Sequence, residues 1–204
     1  LANGTLNGAR LQVNNNGTAT VQSSGNVTTG FAEVNNFGNL DVAGRVGGTL
    51  TGNNNATVGV TGTVAGAATM NDNSSLTSSG QLGSTLTLNG SSVATIQNQG
   101  NVTGATTVND SGSLTVNSGG KLSDTLTISA TTGTGSIAGN VVGATTSNGT
   151  LGVTGNLQST LTVNSGTTTL ANSSTVTSNV TVNNGTLLAN GTLNGARLQV
   201  NNNG

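Results

Sequence analysis

Every sixteen to twenty-one residues the chain returns to the same short pattern, and that return leaves few folds open. Breaks fall at Gly4, Gly25, Gly44, Gly62, Gly80, Gly100, Gly120, Gly139, Gly155, Ser174 and Gly191. Two residues after each break stands Leu or Val: Leu6, Val27, Val46, Val64, Leu82, Val102, Leu122, Val141, Leu157, Val176 and Leu193, a full column in a chain only 31% hydrophobic. Two alternating apolar runs follow in each unit. Leu86/Leu88, Leu126/Ile128 and Leu161/Val163 belong to the first run; Val58/Val60, Leu114/Val116 and Leu151/Val153 belong to the second. Alternation with period two is the mark of a strand with one buried face. Helical periodicity is absent, and Thr, Val, Asn and Gly are poor helix formers. Three short strands per unit, repeated at a nearly constant length, predict an all-β chain wound as a parallel β-helix. The general preference of parallel crossovers predicts a right-handed one.

A second, coarser repeat is literal. Residues 1–17 read LANGTLNGARLQVNNNG, and residues 188–204 read the same. The offset of 187 residues contains ten of the short units. Residues 1–204 are therefore expected to form one continuous solenoid, with 1–187 a single tandem period and 188–204 the start of the next. At about 4.8 Å per coil, one period spans roughly 48 Å of rod.

Composition raises one competitor. Thr, Gly, Asn and Ser supply 124 of the 204 residues, which also suits a flexible polar linker. A linker predicts no positional pattern, and the chain has one. Asn14, Asn35, Asn53, Asn71, Asn89, Asn109, Asn148, Asn164, Asn183 and Asn201 all follow the second strand of their units, with Ser129 the exception. Asn tolerates the left-handed conformation of a sharp corner. Its amide also carries both donor and acceptor, so stacked copies can bond along the axis. The column is expected to serve both ends and to be structural. Glycine at the unit breaks is expected to supply positive φ where the chain turns.

The chemistry available is narrow. There is no His and no Cys, and nine residues are charged, for a net charge of −1. Acid–base, nucleophilic and metal chemistry draw mainly on His, Cys, Asp, Glu and Lys, of which the chain has little, so no enzyme, cofactor or metal site is expected. Asp72 and Asp110 follow the corner Asn two units apart, which places them roughly 9–10 Å from each other. That separation suits an inverting glycosidase, but neither shares its column with a basic residue and both read as loop aspartates. A net charge near zero gives no basic field for nucleic acid, and no apolar run is long enough to span a membrane as a helix.

Two surface features stand out. Thr51, Thr69, Thr87, Thr107, Thr127, Thr146, Thr162 and Thr181 fall at one outward position in eight successive units, and Thr49, Thr85, Thr125 and Thr160 extend four of them to T-x-T. Such a face would serve lateral contact between rods or ice binding; β-propensity alone also favours Thr there. Arg10, Phe31 and Glu33 fall on adjacent units, so that Arg10 is expected to stack on Phe31 and reach Glu33 diagonally. Arg197 repeats Arg10.

Units such as GQLGSTLTLNGSSVATI (80–96) and GNVTGATTVNDSGSLTVNSG (100–119) resemble the repetitive β-helical regions of large bacterial surface proteins. These include autotransporter-type and filamentous-haemagglutinin-like adhesins. The resemblance covers the whole chain and is one of architecture. It implies export to the cell surface and a role in adhesion, biofilm or filament formation. The implied partners are neighbouring repeats end to end, other rods laterally, and a surface glycan or protein receptor.

Overall fold

The computed structural model describes residues 3–8, 10–28, 30–195 and 197–201. Of the duplicated segments, Leu1, Ala2, Ala9, Ala196, Asn202, Asn203 and Gly204 lie outside the described residues. The described chain is all-β and contains no helix. Its strands wind into a parallel β-solenoid of about eleven turns, hereafter coils. Coil 1 consists of β1 (Thr5–Leu6), β2 (Leu11–Val13) and β3 (Thr18–Val21). Each later coil repeats that order, and coil 10 ends with Thr175–Val176, Val180–Val182 and Thr186–Ala189. Stacking β1 and its successors gives a first sheet of eleven strands, β2 a second of eleven, and β3 a third of ten.

Each sheet's inward positions are the apolar ones that the alternation marks. Leu82, Leu86, Leu88, Ala94 and Ile96 are the inward side chains of coil 5, and all are fully buried. Burying a Leu, Val or Ile contributes about 1.5–3 kcal/mol each. That gain is realised only against the coils above and below, because a single coil encloses almost nothing. The Leu/Val column of the first sheet pairs in strict register, from Leu6↔Val27 through Val64↔Leu82 to Val176↔Leu193.

The break glycines have a different cause from the one expected. Positive φ among described glycines is confined to Gly8, Gly90, Gly119 and Gly166, none of them a break residue. The constraint is close approach. A Cβ on Gly62 would fall on the carbonyl oxygen of Gly44; one on Gly80 would fall on that of Gly62, and one on Gly155 on that of Gly139. At these three corners the coil lies backbone on backbone with the one below, and only hydrogen fits between.

Candidate functional site

The Asn column sits where the second sheet hands over to the third. Asn35 donates through Nδ2 to Oδ1 of Asn14 at 2.9 Å, and Asn53, Asn71, Asn89 and Asn109 continue the chain of amides at 2.7–2.8 Å. Above Asn109 the ladder is interrupted by Ser129, and Asn148 donates instead to the Ser129 backbone carbonyl at 2.8 Å. It resumes as Asn164, Asn183 and Asn201, each pair joined at 2.8 Å.

The column residues themselves are not left-handed. Positive φ falls on the next two residues of the corner: Asn15 and Asn16, Asn36 and Phe37, Asn54 and Asn55, Asp72 and Asn73. The two purposes expected of one Asn are thus divided between neighbours. In coils 1–4 the first Asn of the corner bonds along the axis, and its two successors bend the chain. Phe37 is the exception among the benders, at φ 63° and 62% exposed. A bulky side chain is disfavoured in that region.

The eight threonines do form one outward column. Thr51↔Thr69↔Thr87↔Thr107 and Thr127↔Thr146↔Thr162↔Thr181 are direct cross-strand partners, and Thr107↔Thr127 joins the two runs. All eight are half-buried. Below them the column continues as Glu33 and Gln12, and above them as Gln199. The flanking rank alternates coil by coil as Thr49, Ala67, Thr85, Ala105, Thr125, Ala144 and Thr160, so T-x-T recurs on every second coil.

A further hydroxyl face, which the sequence columns do not isolate, lies on the third sheet. Its strands show two outward positions each, filled by Ser75 and Thr77, Ser113 and Thr115, Thr134 and Ser136, Thr167 and Thr169. Thr134 donates to Ser113 across coils at 3.0 Å. Its sequence signal is the alternating polar residues in the third run of each unit. Varied residues at those positions, such as Val93 and Gly152, obscure it.

The Arg10 cluster assembles as its spacing suggests. Arg10 forms an ion pair with Glu33, and its guanidinium lies 5.4 Å from the centroid of the Phe31 ring. Hydrogen bonding to Arg10 holds the Glu33 carboxyl below its ordinary range; partial desolvation opposes this, and Asn35 and the Arg10 charge reinforce it. Both phenylalanines are exposed and both belong to coil 2.

Little else resembles a reaction centre. Among the described residues no group of three or more acidic side chains could hold a metal ion, and no cavity opens. Asp72 and Asp110 occupy bender positions at φ 49° and 52°. Asp110 accepts from the Gly90 N–H at 3.0 Å, which engages it in local structure. Inside the core, the hydroxyls of Thr106, Thr145 and Thr168 are buried without a partner.

Fold and surface together define a parallel β-solenoid with a hydroxyl- and amide-rich exterior. No family model, curated protein or solved structure matches the chain.

Proposed function

We propose that the chain is a structural repeat of an extracellular bacterial fibre or adhesin stalk, and that it does no catalysis. The observation that carries this reading is the agreement of two periods. The 187-residue sequence repeat spans ten whole coils, so residues 190–201 re-enter the same two sheets at the same positions as residues 3–14. Successive periods then continue one rod without a phase shift, each adding roughly 48 Å. Backbone ladders and interlocking cores carry load along the axis. A nearly uncharged exterior suits a spacer that holds a distal tip away from the cell.

Labelled antibodies against the chain, applied to intact producing cells and viewed by cryo-electron microscopy, test this. Decorated surface filaments with a meridional spacing of about 4.8 Å are expected. Label confined to the cell interior would sink the stalk reading.

The strict register of the Thr column favours one alternative, an ice-binding face on the second sheet. Its hydroxyls recur at about 4.8 Å along the axis, and at about 6.7 Å across each T-x-T. Inhibition of ice recrystallisation that Thr107→Tyr abolishes would support it.

A further inference from the structure

The flank of the second sheet carries a period that neither the single coil nor the 187-residue repeat requires. From coil 3 to coil 9 its outward residue alternates strictly, Thr on odd coils and Ala on even ones. The alternation passes through the wall of the solenoid. The next residue points inward, and it is Leu on odd coils (Leu50, Leu86, Leu126, Leu161) but smaller on even ones, as at Ala68 and Thr106. Before the even-coil Ala stands a glycine pressed against the coil below. A Cβ on Gly66 would fall 2.6 Å from the Gly48 carbonyl carbon, and one on Gly143 would fall 2.5 Å from the Asp124 carbonyl carbon. The two-coil unit is thus fixed by backbone crowding as well as by side chains.

On the surface this unit leaves a Thr ridge on every second coil, with an Ala notch between. Ridges recur at about 9.6 Å along the axis. β-propensity favours Thr at every one of these positions and disfavours Ala, so it does not account for the notches. A surface of regular ridges and notches fits a second copy of itself, and a two-fold axis is the commonest way for copies to pair.

Two constraints fix where that axis lies. An axis along the strand direction runs two rods antiparallel and sets flank against flank. Ridge then meets notch only if the axis passes between two coils. The charged coils choose which two. Phe31 and Glu33 mark coil 2, and Arg197 repeats Arg10 on coil 11. An axis between coils 6 and 7 sets coil 2 against coil 11, so that Glu33 meets an arginine, and coils 3–10 face coils 10–3 of the other copy. Asn179, which holds the flank on coil 10, then faces the Thr49 hydroxyl. Any other position between coils sets the charged pair against the neutral Thr stretch.

We propose that two copies of this chain pair side by side and antiparallel through the second sheet, with Ala67 of one against Thr160 of the other and Ala105 against Thr125. The pairing rests on the rod reading above and names the rod's lateral partner. Coils 3–10 offer a strip about 38 Å long and about 10 Å wide. That is on the order of 400 Å² per rod, about half of what a standard interface buries on each side. A single period therefore pairs weakly, and successive periods of one rod repeat the contact and add avidity.

Sedimentation velocity of the 204-residue chain tests the pairing, with dimer expected below about 1 mM. Ala67→Thr sets ridge against ridge at both symmetry-related contacts and should raise the concentration for half-association at least tenfold. Adding Thr160→Ala should restore the parent value to within about threefold, because ridge and notch have changed places. Positions 67 and 160 lie five coils apart on one rod, so recovery passes only between copies. A loss that Thr160→Ala leaves unrepaired overturns the proposal. A parent chain still monomeric at about 1 mM does so too, and leaves the face to the ice-binding alternative. The sequence contains no cysteine, so mixtures of single-cysteine chains report the register. Ala67→Cys chains oxidised with Thr160→Cys chains should crosslink, whereas Ala67→Cys with Thr85→Cys should not; equal crosslinking of the two mixtures also overturns it. Surface filaments built of unpaired rods would overturn the pairing and leave the spacer reading standing.

Discussion

The corners of coils 1–6 and those of coils 7–10 solve one problem in two ways. In the first group the Asn ladder is unbroken from Asn14 to Asn109, and most corners bend through paired left-handed residues. In the second group the corner lengthens to residues 129–133 and then shortens to Asn148 and Gly149. There the ladder parts, and Asn148 Oδ1 is left buried without a partner. Yet the backbone ladder persists throughout: Ser129 N–H still bonds Val108 at 2.8 Å and Asn148 N–H bonds Ile128 at 2.9 Å. The solenoid therefore depends on backbone pairing and core burial. The amide ladder adds stability where a constant corner length keeps the side chains stacked.

Breaking the ladder in its continuous part should have the largest effect. Asn71→Leu would strand Asn53 Oδ1 and Asn89 Nδ2 together and should cost about 2–3 kcal/mol, whereas Asn164→Leu severs only the bond from Asn183 and should cost about 1 kcal/mol. Urea denaturation combined with hydrogen exchange at the affected coils measures both, since long repeat arrays need not unfold in one step. Equal costs would mean that the ladder adds nothing beyond local corner geometry.

Repairing the parted region works in the other direction. Ser129→Asn, on a backbone already in register, should stabilise by about 1 kcal/mol, with greater exchange protection around coils 6–8. Phe37→Asn should also stabilise, by about 1 kcal/mol, because Asn visits the left-handed region far more readily than Phe; Asn55→Phe should show the opposite sign. If Phe37→Asn instead destabilised the fold, the exposed ring would be packing against a neighbour that its 62% exposure does not suggest.

The interior buries unpartnered hydroxyls in both groups, Ser92 and Thr106 in coils 5 and 6 and Thr145 and Thr168 in coils 8 and 9, and Thr145→Val should raise stability by up to about 1 kcal/mol in the same assay.

The smallest effect is expected at the Arg10–Glu33 pair. Glu33 has a depressed pKa in the fold. Its contribution is thus present above the unfolded value, about 4.3, and is lost as pH falls through the folded value. An exposed pair of this kind contributes about 0–1 kcal/mol. Glu33→Gln should flatten the stability profile across that window, with little change at neutral pH. An unchanged profile would mean that the pair contributes nothing measurable.

The number of coils, the three strands in each and the inward columns are legible in the sequence alone, because period-two alternation that returns every sixteen to twenty-one residues admits one stacking register. The sequence also placed Arg10 beside Phe31 and Glu33, and aligned the Thr column, since register follows once the coils are counted. Tertiary structure alone decided which corner residue bends and which one bonds. Adjacent Asn residues look alike in sequence, and only the path of the chain assigns left-handed φ to Asn15 and Asn16 and the axial amide to Asn14. It likewise decided why the breaks are glycine. Crowding between Gly62 and the Gly44 carbonyl is a contact between coils 18 residues apart, and local sequence carries no record of such a distance until the chain has been wound.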